Sequence, residues 1–106
     1  MISFDEFQKL DLRIGKVISV EDHPDADKLY LIKVDIGKEV QVVAGLKKYY
    51  EKDEILGKKV VLLANLEPAK LRGEVSEGMI LAAEDEKGNV SLLTTDKEVE
   101  KSAKVL

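Results

Sequence analysis

Hydrophobic and polar residues change their spacing several times along the chain, and each change marks an element. The opening ISFDEF carries a helix start: Ser3 can accept from the Glu6 amide, Glu6 can reach back to the Ser3 amide, and Ile2 can pack on Phe7. This predicts a short helix over residues 4–9. From Asp11 the period changes to that of a strand. Leu12, Ile14, Ile18 and Val20 share one parity, and Lys16 on that parity beside Gly15 suggests a bulge or close backbone approach there. A long, bent first strand is expected. HPDADK (residues 23–28) then breaks the alternation, because Pro24 has no amide to give a ladder and Asp25 and Asp27 favour local turns. Tyr30, Ile32, Val34 and Ile36 resume it as a half-buried second strand. After a Gly37-Lys38 turn, Val40, Val42 and Ala44 continue it as a third.

Residues 45–57 read as a crossover containing a helical turn. KKVVLLANL and GMILAAE are continuous apolar runs, as expected of strands buried on both faces or near barrel closure. Between them NLEPAKLRGEVSEG is interrupted by Pro68, Gly73 and Gly78 and is expected to be a long irregular loop. EKGN makes a turn and VSLL a short sixth strand, and the residues after Asp96 form a polar tail that is ordered only if it docks. Five principal strands, the first long and bent, with a crossover between the third and fourth, predict an all-β, five-stranded Greek-key barrel of the OB type with a short N-terminal helix. An SH3-like barrel is the alternative. In an OB-fold the ligand lies across strands 2 and 3, between the loops joining strands 1 to 2 and 4 to 5. Those loops are HPDADK and NLEPAKLRGEVSEG, the least regular stretches of the chain.

With 106 residues, 44% of them hydrophobic, the chain is expected to form one domain over residues 1–106. It has no Cys, which excludes a disulfide framework, a thiolate metal site and a Cys nucleophile, and fits a reducing, cytoplasmic setting. No apolar run reaches the roughly 18 residues of a membrane-spanning helix, and the acidic start does not read as a signal peptide. Met1 followed at once by a helix cap reads as an independent start. The net charge of −4 argues against a nucleic-acid partner on average, yet the charge is segregated. Residues 28–72 hold 10 basic against 6 acidic side chains, while residues 1–27 and 73–100 are acidic. A local positive field can therefore exist on an acidic protein. No catalytic constellation, phosphate-cradling glycine loop or metal motif is present, so neither an enzyme nor a cofactor is expected.

DLRIGKV, HPDADKLY, VVAGL, LGKKVVLLANLEPAKLRG and SEGMILAAED, in this order and spacing, resemble the tRNA-binding domain family. That family comprises free-standing dimeric tRNA-binding proteins, the C-terminal domain or beta subunit of methionyl-tRNA synthetase, and the endothelial monocyte-activating polypeptide II group. The resemblance implies an OB-fold that dimerises through its terminal segments and binds the outer corner of tRNA by shape. Methionyl-tRNA synthetase itself is then a partner. It also implies RNA-facing roles for Lys28, Asn65, Lys70, Arg72, Ser76 and Met79: phosphate contacts from the three cations, polar contacts from Asn65 and Ser76, and an adaptable apolar surface from Met79. Lys33, between the two loops on the second strand, joins them. A related chaperone branch with the same barrel and dimer binds unfolded peptides, and is the alternative.

Each residue also has a plainer role. His23, the one His, orders the turn before Pro24 and is no metal ligand without a second His or Cys. Asp25 and Asp27 cap turns, Asn65 and Ser76 satisfy loop backbone, and Met79 belongs equally to a core. Tyr49 and Tyr50 serve packing rather than base stacking. Glu77 sets an acid beside the expected RNA surface and should weaken binding in a salt-dependent way unless it points away. Thr95 and Ser102 replace residues that the family often uses to dock its tail.

Overall fold

The structure, a computed structural model, describes residues 1–106. Helix α1 (Phe4–Gln8) starts with the expected capping box: the Glu6 amide donates to Ser3 Oγ at 3.1 Å and the Ser3 amide to Glu6 Oε1 at 3.2 Å. Strand β1 (Leu12–Asp22) then pairs antiparallel with β2 (Tyr30–Asp35) and, along its first half, with β4 (Lys59–Leu63). Next to β2 runs β3 (Glu39–Ala44), and beyond β4 comes β7 (Met79–Ile80), giving the sheet order β3-β2-β1-β4-β7. This sheet curls into a nearly closed five-stranded barrel, the expected OB-like fold.

The close approach at Gly15 is present: a Cβ there would collide with the Val34 side chain. The bulge lies two residues on, between Val17 and Ser19. Before it, Val17 faces the barrel core while Leu12 and Ile14 join a separate cluster on the other face, so Ile18, expected on the core parity, faces solvent. Past the bulge the phase shifts and Val20 packs against the core. Val43, expected outside, is also buried, and Ser76 lies along this edge of β3, its hydroxyl taking the Val43 amide. Helix α2 (Lys52–Ile55) supplies the helical turn of the crossover, and its Ile55 is fully buried beside Val17, Ile32, Val34, Val42, Val60 and Leu62. Each such side chain contributes about 1.5–3 kcal/mol on leaving water.

Two apolar expectations need correction. NLEPAKLRGEVSEG is no irregular loop; it contains a hairpin of β5 (Ala69–Leu71) and β6 (Glu74–Ser76). GMILAAE is not one buried strand either: after Ile80 the chain leaves the barrel, and β8 (Ala82–Glu84) pairs with β9 (Val90–Leu92), its residues exposed. The polar tail docks. Ser102 and Val105 amides donate to the Ile14 and Leu12 carbonyls at 2.6 and 2.9 Å, and the Ile14 amide donates to the Ala103 carbonyl at 2.8 Å. The tail thus continues the edge that β2 vacates, and with Phe7 of α1 it covers a second apolar cluster of Leu12, Ile14 and Val61. Both termini end on this outer face, where Phe4 and Leu106 remain exposed.

Candidate nucleic-acid interface

The candidate interface begins at the exit of β1. His23 is buried, and its Nδ1 accepts the Asp25 amide at 2.9 Å, which orders the turn as expected. Accepting at Nδ1 leaves the proton on Nε2, and that nitrogen donates to the Leu71 carbonyl of the hairpin at 2.9 Å. One imidazole therefore pins the two candidate loops together. Asp25 and Asp27, expected as the turn caps, make no side-chain hydrogen bonds of their own, because His23 performs that role.

The hairpin turns through two residues, Arg72 at φ +54° and Gly73 at φ +90°. Positive φ at both positions is the tight turn whose twist matches the flanking strands. It projects Arg72 at the tip. Lys28 and Arg72 line one depression together with Ala26, Asp27 and Leu29, and Lys70 lies on the same hairpin, in β5 opposite Val75. None of these three cations has a carboxylate within 4.0 Å. Some cations elsewhere are paired: Lys52 and Lys47 both meet Asp22 at 3.1 Å and hold its carboxyl below the usual carboxylate range. Lys28, Lys70 and Arg72 thus set three unpaired positive charges on the two joined loops.

The remaining expected site residues are placed differently. Lys33 lies on the outer face of β2 but pairs with Glu39 at 3.4 Å. Asn65 spends its side chain on the N-terminal arm, accepting from the Asp11 amide at 2.8 Å and donating to the Lys9 carbonyl at 2.7 Å. Ser76 is buried: its Oγ accepts the Val43 amide and donates to the Gly78 carbonyl, each at 3.0 Å. Both polar side chains fulfil their plainer role of satisfying backbone. Met79 is half exposed, on the gap between β3 and β7. Glu77 is turned onto β3, where its carboxylate accepts the Gln41 amide at 3.0 Å and its own amide donates to the Gln41 carbonyl at 2.8 Å. Tyr50 packs against the core and accepts the Leu92 amide at 3.0 Å, whereas Tyr49 is exposed beneath Lys48.

Sequence reasoning missed the clasp and the closure. A lone His directly after a strand gave half the signal; its partner is 48 residues away. Gln41, whose Nε2 donates to the Val75 carbonyl at 2.9 Å, carried none.

The comparisons with known proteins bear on the family and on the barrel. Residues 12–104 match the family described as "Putative tRNA binding domain". The chain belongs to that family. It is 62% identical over 105 residues to the methionine–tRNA ligase of Pyrococcus horikoshii, covering 98% of this chain and 14% of that protein. It is 50% identical over 106 residues to the ligase of Deinococcus radiodurans, covering 99% of this chain and 16% of that one. The chain thus spans about a seventh of the length of these relatives. Among solved structures, a MetRS-related protein from Pyrococcus horikoshii superposes with a TM-score of 0.94 at 34% identity, over 100% of this chain and 98% of that one. The chaperone CsaA from Bacillus anthracis superposes with a TM-score of 0.88 at 30% identity, over 100% and 99%. Family membership and fold were both legible in the motif blocks; the family's tRNA-binding domain and the chaperone share this barrel.

Proposed function

We propose that this domain binds folded tRNA by its shape, without catalysing a reaction, as an appended or trans-acting module of methionyl-tRNA synthetase in the cytoplasm. One observation carries the reading: the His23–Leu71 clasp brings Lys28 and Arg72 to one depression, with Lys70 beside them and no carboxylate on any of the three. A shape reader needs a few fixed cations spaced to meet phosphates and ribose hydroxyls, not a basic surface overall. Such a module raises the tRNA concentration near a catalytic chain. The apolar surface at the termini, with Ile2, Phe4, Leu10 and Leu106 exposed, suits pairing with a second copy.

Filter binding at low salt tests the reading. Folded tRNA should outcompete a single strand of equal length, affinity should fall with added salt, and joint K70E and R72E substitution should weaken binding while sedimentation still reports the oligomer of the unmutated chain. Equal affinity for both RNAs, with no salt dependence, would refute it. The similarity to CsaA over the whole chain favours peptide holding as the second reading; stoichiometric suppression of aggregation, unaffected by tRNA, would establish that instead.

A further inference from the structure

The barrel is closed along one seam largely by side chains, with one backbone bond from the Glu77 amide to the Gln41 carbonyl. On its free edge β3 is joined to the segment after β6 through Gln41 and Glu77, and then through the Ser76 hydroxyl, which links Val43 to Gly78. Beyond Ser76 the bonding stops and the edges part. A cavity of about 210 Å3 opens there, with residues 42–46 on one wall and residues 78–80, including Met79, on the other. Six of its eight lining residues are hydrophobic. The Gly45 amide and the Val43 carbonyl, on this same edge, have no hydrogen-bond partner within the chain. Leu29 connects the slot to the cations, because it lines the Lys28–Arg72 depression and its Cδ2 would lie 3.8 Å from a Cβ on Gly45.

Resting on the RNA reading of this face, we propose that the slot takes one unstacked nucleobase of the bound RNA. The occupant follows from size, polarity and charge. The cavity is smaller than the roughly 300–1,000 Å3 of sites for drug-sized ligands, so it suits a single flat group. A base has apolar faces for Met79, Ala44 and Leu46, and a hydrogen-bonding edge for the free donor and acceptor of β3. Its phosphates would then lie toward the three unpaired cations, which an uncharged apolar peptide would leave unanswered. The free edge is also short: it opens only past Ser76 and Val43, whereas strand addition draws its affinity from a run of main-chain bonds.

Gly45→Leu is the probe. Gly45 lies outside the left-handed region, and Leu29 Cδ2 at 3.8 Å is the one atom an added Cβ meets, so the variant should fold with unchanged urea stability while crowding the slot that Gly45 lines. With a folded tRNA transcript, fluorescence anisotropy should show about 5- to 10-fold weaker binding, the lower end of what one stacked base contributes, at an unaltered salt slope. Abasic substitutions scanned through the tRNA elbow should include one that costs the unmutated chain the same factor and leaves Gly45→Leu unaffected. Met79→Ala should weaken binding in the same direction. Unchanged affinity of Gly45→Leu, together with normal salt dependence, would overturn the slot and leave the cation rim standing. Retained tRNA affinity with loss of unfolded-polypeptide holding would overturn it in favour of a peptide. No salt-dependent tRNA binding by the unmutated chain would refute the slot together with the RNA reading.

Discussion

Arg72 shows at a single position what the interface costs the fold. Its φ of +54° is a conformation that a non-glycine residue adopts at a penalty of roughly 1–2 kcal/mol, tolerated because the two-residue turn fixes it. Asn reaches this region more easily and carries no charge. Arg72→Asn is therefore expected to raise urea stability by up to about 1 kcal/mol while removing about one unit from the slope of log affinity against log salt. Lost stability with unchanged tRNA affinity would show that Arg72 serves the turn alone. The cations were legible as residues, since Lys28, Lys70 and Arg72 fall in family blocks. For Ser76 and Asn65 the backbone-satisfying role was legible but the partners were not, because Val43, Asp11 and Lys9 lie 33, 54 and 56 residues away. No local pattern encodes a hydroxyl bridging two strand edges.

At the scale of elements, alternation found β1, β2 and β3, and the capping box found α1, because these signals are local. The hairpin escaped because Pro68, Gly73 and Gly78 count as breakers, although an Arg-Gly turn between AKL and EVS places a glycine where tight hairpins demand positive φ. What fixes that hairpin against the first loop is His23. His23→Ala removes the hydrogen bonds to the Asp25 amide and the Leu71 carbonyl, each worth about 0.5–1.5 kcal/mol, and is expected to cost about 1–3 kcal/mol in urea unfolding. It should also weaken tRNA binding, with the salt slope retained because the cations remain.

Tail docking was open in the sequence for the same reason as Ser76: its partners are distant. It depends on charge. Lys101, and secondarily the Gly37 amide, hold the Asp35 carboxyl below the ordinary range, and the hydrogen bond from Lys59 does the same for Glu98. Both folded values lie below the unfolded ones, so the unfolded chain takes up protons first as pH falls. This stabilisation is full above about pH 5 and fades as the pH drops through the carboxylate range of roughly 4 and below. Amide protection of Ser102 and Val105 should fall in that window, and the combined Asp35→Asn and Glu98→Gln variant should start lower and change less. A pH-independent tail would remove the ion pairs from the account.

For the whole molecule the net charge of −4 is the apparent obstacle to an RNA partner, and the fold answers it locally. Lysines 33, 47, 52, 59 and 101 are paired with carboxylates and Glu77 is turned onto β3, whereas the two joined loops hold three unpaired cations close together. Segregation along the chain hinted at this, but only three-dimensional contact reveals which cations are paired. The decisive measurement is the salt dependence of folded-tRNA affinity for the unmutated chain, Lys28→Gln, Arg72→Gln and the double variant. If both side chains meet phosphates on one RNA, each single change lowers the slope by about one and the double by about two, against an unchanged slope for Lys33→Gln. A slope that does not respond to Lys28 or Arg72, or responds equally to Lys33, would contradict the account.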